Sequence, residues 1–243
     1  MPCKEPTMSE ERKQWICTAV DIDGGQRVAG NPMQLTPMGV AARNKLWPRD
    51  KVLRVRFLQG SAALHERTLK TAQAWMLDGV HLKLEQAQPN EAGDIRISFD
   101  PAAGSWSYVG TDAKGIRSSQ ATMNLGWAAL DTPEQDFSSV VIHEFGHALG
   151  LLHEHNHPGA LVQWDKAAVK ADLGGSPNFW DDATISHNVF AKFDASTTIT
   201  TDFDSASVMI YTIPAHWTTN GKSFMPSWKL SAGDAATIRK LYA

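Results

Sequence analysis

Alternation of polar and apolar residues first becomes regular at Lys51. From there Val52, Arg54 and Arg56 alternate with apolar residues, which predicts a β-strand over residues 51–58. Apolar residues then recur at helical spacing over residues 61–77, with Ser61 as the N-cap and Gly79 as the stop. Two further strands are predicted at Val80 to Leu84 and Ile95 to Phe99.

The order strand, helix, strand, strand predicts an α+β fold, in which a twisted mixed sheet is backed by helices. This upper lobe spans about residues 45–153. Residues 154–243 predict a smaller, irregular and helical lower lobe, with helices at residues 160–171 and 181–193 and a last helix from Ala232 to Leu241, capped by Ser231. Residues 1–44 are rich in Pro, Gly, Met and charge, and are interpreted as an N-terminal extension of a catalytic domain that covers residues 45–243.

Residues 143–153 carry the most specific chemistry in the chain. His143, Glu144, His147, Gly150 and His153 follow the spacing H-E-x-x-H-x-x-G-x-x-H of zinc peptidases. Residues four apart share one helix face, so two imidazoles can bind the same ion with the glutamate beside them. The glycine favours a left-handed turn that returns the third histidine as a ligand. Three imidazoles leave one zinc position open, which is typical of a catalytic site, so we expect one zinc ion.

The helix that carries this motif has two candidate starts. Asp136 is a good N-cap, whereas Thr132, Pro133 and Glu134 would begin an earlier turn. Its core face is predicted to consist of Phe137, Val140, Val141, Phe145, Ala148 and Leu149.

On these residues the chain resembles the metzincin zinc endopeptidases. Glu154 directly follows the third histidine and is similar to the residue that marks the astacin family of peptidases. Residues 207–211 read Ser-Val-Met-Ile-Tyr, which resembles the turn that places a methionine, here Met209, beneath the metal. The resemblance implies that Tyr211 is an additional zinc ligand that swings away to stabilise the transition state, and that Glu144 is the general base.

The chain also departs from the astacin pattern. It reads His155, Asn156, His157 and Pro158 where astacins carry a glutamine and then an arginine, and the disulfide cysteines of that family are absent. Two alternatives therefore stay open: a matrixin-like or serralysin-like peptidase, and a zinc-containing binding module with little activity. We expect His155 and His157 to face solvent or to support the ligands, rather than to bind a second metal.

The resemblance also implies how a substrate binds. In metzincins the last strand before the zinc helix forms the upper rim of the cleft, and a protein or peptide substrate adds to it in extended form. Residues 122–126 are the candidate for that exposed edge strand, with an ordinary core strand as the alternative.

Charge and composition narrow the partners and leave the compartment open. The net charge is −3 and no long basic run exists, so we expect neither nucleic acid nor a membrane as partner, and no oligomeric state is predicted. No apolar stretch of residues 1–20 has the length of an export signal or a membrane span, which favours the cytoplasm, export by another route, or secretion if the chain is a processed form.

The N-terminal extension contains candidate ligands for the open zinc position. The two cysteines of the chain, Cys3 and Cys17, both lie there, as do Asp21 and Asp23. A thiolate is a good zinc ligand, so residues 1–44 are a candidate inhibitory prosegment, with an arm packed on the domain as the alternative.

Overall fold

A computed structural model describes residues 18–20, 41–175, 178–192 and 202–243. Its strands are β1 Thr18–Val20, β2 Lys51–Phe57, β3 Leu82–Gln86, β4 Ile95–Ser98, β5 Ser105–Tyr108 and β6 Met123–Leu125. Its α-helices are α1 Ala62–Ala72, α2 Glu134–Ala148, α3 Lys166–Gly174, α4 Asp182–Ile185 and α5 Ala232–Tyr242; a π-helical turn, Ser186–Phe190, continues α4.

The strands form one mixed sheet in the order β1-β5-β6-β4-β2-β3. Strands β3, β2, β4 and β6 pair in parallel, β5 pairs antiparallel with β6, and β1 pairs in parallel with β5. The predicted α+β architecture is therefore confirmed, and the predicted strands lie at or within two residues of their expected bounds.

The prediction of an exposed edge at residues 122–126 is wrong. Strand β6 is hydrogen-bonded to β4 on one side and to β5 on the other, and its three residues are buried. The alternative of a core strand holds. Strand β5, not β6, is the last strand of the catalytic domain on this side of the sheet, and the N-terminal strand β1 is added to its outer edge.

Helix α2 starts at Glu134, so the N-cap predicted at Asp136 is wrong and the earlier start is confirmed. Pro133 has no backbone N–H to donate and occupies the N-cap position without a side-chain cap. Arg67 instead donates to the Glu134 carboxylate (2.9 Å), and Ser138 donates to its other oxygen (2.9 Å). Acidic Glu134 and Asp136 also suit the positive end of the helix dipole.

The core of the upper lobe forms where α1 and α2 pack on the sheet. Trp75, Phe137 and Phe145 are fully buried there among aliphatic residues of β2, β4 and β6. Helix α5 returns from the lower lobe to the same core through Ile238 and Tyr242. The chain end thereby closes on the zinc-motif helix.

The C-terminal end of α2 is a Schellman turn centred on Gly150. The N–H of Leu151 donates to the Gly146 carbonyl (2.9 Å), the N–H of Gly150 donates to the His147 carbonyl (2.8 Å), and Gly150 has φ of 95°. Two of the remaining helix carbonyls also have donors: Trp47 Nε1 binds the Ala148 oxygen (2.8 Å) and the Tyr242 hydroxyl binds the Leu149 oxygen (2.7 Å). The left-handed turn predicted at this glycine is confirmed.

The lower lobe has its own small core, which contains Val169, Leu173, Ile185, Val189, Tyr211, Ile213 and Trp217. Helix α3 begins at Lys166 after an Asp165 cap, so the start predicted at residue 160 is wrong; the chain before it runs in turns and an isolated bridge from Trp164 to Thr218. Helix α5 is confirmed, with a capping box between Ser231 and Asp234. None of the helices in the described part of the chain has the length and apolar character needed to cross a bilayer.

Replacing Gly150 by alanine is expected to lower the free energy of unfolding by about 1–3 kcal/mol and to weaken zinc binding. The backbone at this position is left-handed, and an added Cβ would lie 2.9 Å from Leu46 Cδ2. Gly79→Ala is the matched control, because Gly79 also has positive φ but faces open space. Denaturant unfolding measures the stability of the variants, and zinc titration measures their zinc affinity. The prediction is contradicted if Gly150→Ala, like the control, retains the zinc affinity of the parent protein.

Candidate metal and catalytic site

Helix α2 and the turn after it bring the three motif histidines together. His143, His147 and His153 are buried, and their candidate ligand atoms all lie within 4.8 Å of one another. The Nε2 atoms of His147 and His153 are 3.1 Å apart. Two nitrogens bound to one tetrahedral zinc ion lie roughly 3.3 Å apart, since each Zn–N bond is about 2.0–2.1 Å long.

Backbone carbonyls fix the orientation of the two helical imidazoles. His143 Nδ1 donates to the Val208 carbonyl (2.7 Å), and His147 Nδ1 donates to the Leu151 carbonyl (2.9 Å). Because Nδ1 carries the proton in both rings, Nε2 presents a lone pair. His143 Nε2 is buried and has no hydrogen-bond partner among the described residues, so a metal ion would satisfy an otherwise costly buried atom.

Burial also keeps these imidazoles uncharged. Desolvation lowers the pKa of His143 to about 4, and desolvation together with the neighbouring imidazoles lowers the pKa values of His147 and His153 well below their ordinary value. Only neutral imidazole binds a metal. The predicted ligand set is thus assembled in the protonation state that zinc requires.

Met209 lies directly beneath the helix that carries the ligands. An added Cβ at Gly146 would overlap the Met209 sulfur and would lie 3.0 Å from the Trp75 ring. The Met209 thioether thus contacts helix α2 at Gly146, where any side chain would collide with it. This contact agrees with the methionine turn expected at residues 207–211.

That turn is held from below by an acid on α5. The Asp234 carboxylate accepts hydrogen bonds from Ser207 Oγ (2.6 Å) and from the Val208 N–H (3.0 Å). Two carbonyls of the same segment accept hydrogen bonds from the histidine motif. The Val208 carbonyl accepts from His143 Nδ1, and the Met209 carbonyl accepts from the Glu154 N–H (2.9 Å). Asp234 therefore supports His143 through one intervening residue.

Glu154, the residue after the third motif histidine, is buried. Its Oε1 accepts from the Asp204 N–H (2.8 Å). Desolvation raises the pKa of Glu154 to about 7, the bond from Asp204 opposes that rise, and the charges of Asp234 and Asp204 add to it. This side chain ties the segment after residue 201 to the third ligand.

Tyr211 is buried beside the third ligand. Its ring centroid lies 4.2 Å from that of His153 and 4.2 Å from that of His155. The tyrosine is therefore next to the histidine cluster, while its role as an additional ligand stays a prediction.

A model of the peptidase family described as Astacin matches residues 39–243. The chain belongs to the astacin family. It is accordingly a zinc-dependent metalloendopeptidase that acts on proteins or peptides, and its three clustered histidines suit the zinc ion. The matrixin-like, serralysin-like and weakly active alternatives are thereby disfavoured.

Solved structures agree with this assignment. One structure of myroilysin is 37% identical with a TM-score of 0.80, covering 84% of this chain and 98% of that one. A second myroilysin structure is 31% identical with a TM-score of 0.66, covering 99% of both chains. High choriolytic enzyme 1, a hatching enzyme zinc-protease from the medaka fish Oryzias latipes, shows the fold at 18% identity and a TM-score of 0.59, covering 85% of this chain and 98% of its own. Comparison with curated proteins found no match.

Two further histidines follow the ligands. His155 and His157 are buried, so of the two roles expected for them exposure to solvent is wrong and support of the ligands stays a prediction; among the described residues the metal-binding cluster contains neither of them. Sequence reasoning missed two groups that support His143, namely the Val208 carbonyl and the Asp234 carboxylate. The Ser231-x-x-Asp234 capping box marks Asp234 as a helix start, but its second contact with Ser207 and Val208 joins segments distant in the chain. Cys3, Cys17, Asp21 and Asp23 lie outside the described residues.

The Asp234→Asn variant is expected to bind zinc about 10- to 100-fold more weakly, because an amide nitrogen cannot replace a carboxylate oxygen in the support of the Val208 segment. Ser231→Ala is the control, since it removes the side-chain cap of the same helix and a hydrogen bond to Asp204 but leaves the Asp234 carboxylate beneath Val208. It should cost about 1 kcal/mol of stability with little change in zinc affinity. Competition with a chelator measures the affinities, and equal losses in the two variants would contradict the role of Asp234.

Proposed function

We propose that this astacin-family enzyme cleaves extended segments of protein substrates, with Glu144 as general base and Tyr211 as stabiliser of the transition state. The observation that carries the proposal is the buried cluster of His143, His147 and His153 with Glu144 one residue along the same helix. A structural zinc site needs no such acid.

A zinc ion held by His143, His147 and His153 would supply a Lewis acid for the scissile carbonyl and would lower the pKa of water to about 7. Glu144 then accepts the proton of the attacking water and delivers it to the leaving amine. Its side chain is buried, one residue along helix α2 from His143. Tyr211, from its place beside His153, donates its hydroxyl hydrogen bond to the developing oxyanion.

The substrate is proposed to pair with the outer edge of β5. This strand packs on α2, and its inner edge is already paired with β6. An unpaired strand edge offers backbone N–H and carbonyl groups to an extended peptide. Backbone pairing fixes the peptide without selecting its side chains, so cleavage preference depends on pockets elsewhere in the cleft.

Glu144→Ala is expected to keep one equivalent of zinc and to lose roughly 100- to 10,000-fold in turnover, because only the proton transfers are removed. The assay is cleavage of an unbiased peptide mixture, with the cut sites determined by mass spectrometry. A zinc chelator added to the unaltered protein is the parallel control. Turnover near that of the parent protein would contradict the assignment of the general base.

The N-terminal extension is proposed to hold the enzyme inactive. The backbone of Thr18, Ala19 and Val20 pairs with Trp106, Ser107 and Tyr108 of β5, which is the edge proposed for the substrate. Strand β1 directly follows Cys17, a candidate ligand for the open zinc position. An extension that covers the strand edge and supplies a thiolate would block both peptide and water.

Removal of residues 1–40 is expected to raise peptidase activity at least tenfold, and a peptide of residues 1–40 added back should reduce it again, since occupant and substrate compete for one edge. The cut is made after residue 40 because Ala41 and Ala42 are buried and Ala41 pairs with Leu151. Cys17→Ser and Cys3→Ser, made separately in the full chain, identify which thiol acts, because only loss of the blocking thiol should raise activity. Unchanged or lower activity after removal of residues 1–40 would refute latency.

A further inference from the structure

We infer that His155 is a positioning residue for Tyr211, and that its ring forms the fixed surface against which the tyrosine is held beside the metal site. The inference rests on the proposed function of Tyr211. It concerns the position at which this chain departs from the astacin pattern after the third ligand.

Ring contacts place His155 between two groups of the site. Its centroid lies 4.2 Å from that of Tyr211 with an interplanar angle of 32°, and 5.3 Å from that of His153 with an angle of 28°. Trp164 meets its ring edge-on, with centroids 6.1 Å apart. The side chain is completely buried, so the contact with Tyr211 is not interrupted by solvent.

His155 is held by the lower lobe independently of Tyr211. Its Nε2 donates to the Asn188 carbonyl (3.0 Å), and the next residue, Asn156, donates to the Ala191 carbonyl (2.7 Å). Lys192 Nζ donates to the backbone carbonyls of His155 (3.1 Å), His157 (3.2 Å) and Ala160 (2.9 Å). One ammonium therefore ties down the whole loop that follows the zinc motif, and the imidazole is a rigid support.

A rigid flat neighbour restricts the motion of a side chain that must act at two positions. The Tyr211 ring lies against the face of His155 at an angle of 32°, and this contact limits the orientations that are lost when its hydroxyl meets the oxyanion. Small errors in the placement of a catalytic group are costly, since about 1 Å of misplacement can lower turnover by roughly 100-fold. The Asn188 carbonyl adds to this support, because its hydrogen bond fixes the rotation of the His155 ring.

Two other roles of His155 would have different experimental consequences. A second metal site is disfavoured because, among the described residues, the metal cluster contains His143, His147 and His153 alone. The Nε2 of His155 donates to a carbonyl, and its buried Nδ1 has no hydrogen-bond partner among the described residues. His155 also contacts His153, and support of that ligand would alter zinc affinity rather than the work of Tyr211.

The test is a double-mutant cycle between His155 and Tyr211. It is carried out in whichever form cleaves peptides, the full chain or the chain without residues 1–40. We expect His155→Ala to lower kcat about tenfold, with KM and zinc affinity within twofold of the parent values. In the Tyr211→Phe background the same change should lower kcat less than twofold, because the hydroxyl that His155 positions is already gone. His155→Phe preserves the ring and the packing, and should recover at least half of the lost kcat; it also serves if His155→Ala fails to fold.

A second measurement reads the tyrosine directly. In the full chain carrying both Cys3→Ser and Cys17→Ser and loaded with Cu(II), a bound phenolate gives a visible charge-transfer band, which Tyr211→Phe must abolish. We expect His155→Ala to shift or weaken that band and His155→Phe to preserve it. The inference is overturned if His155→Ala lowers kcat equally in both backgrounds, if it leaves kcat unchanged, or if it weakens zinc binding in proportion to activity. Unchanged kcat in Tyr211→Phe would instead contradict the proposed function of Tyr211, and the copper band would then decide the positioning role by itself.

Discussion

Three uncharged imidazoles meet where water is excluded, and the rest of the structure depends on keeping them there. Each ring would be better solvated apart, so their convergence has to be held by hydrogen bonds and packing. Two backbone carbonyls supply the hydrogen bonds, one from Leu151 just after the helix and one from Val208 in the lower lobe. The site is therefore complete only when both lobes are folded and in contact.

The methionine turn is the junction through which the lobes act on the metal site. Val208 uses its N–H on Asp234 and its carbonyl on His143, while Met209 packs against Gly146 and accepts from the backbone of Glu154. The C-terminal helix thus supports His143, a candidate ligand that it does not touch. Such indirect support is typical of metal sites, where the partners of the ligands set orientation and affinity.

The edge of the sheet has to be accessible, whereas the metal site has to be enclosed. A peptidase that binds extended chains needs an accessible strand edge, yet an exposed edge also pairs with unintended partners. In this chain the backbone of residues 18–20 occupies the edge of β5. Below the site, Lys192 organises the loop at residues 155–160, so the departure from the family pattern is accompanied by an anchoring of its own.

The sequence by itself determined those features that depend on neighbours a few residues apart. The spacing of His143, Glu144 and His147 places them on one helix turn, Gly150 permits the left-handed end, and Ser61 and Ser231 cap their helices, as the structure bears out. These outcomes follow from helix periodicity and from backbone sterics, which act locally.

Tertiary structure decided everything that depends on which distant segments meet. Residues 123–125 have the pattern of a strand whether they lie at an edge or inside a sheet, and only pairing with β5 makes them interior. Asp136 is a good cap by type, but Arg67, far away in the chain, binds Glu134 in the first turn. His155 has the polarity of a surface residue, yet it is buried, with its N–H donated to the Asn188 carbonyl. The physical reason is that hydrogen-bond partners and burial are set by long-range packing, which the local order of residues does not encode.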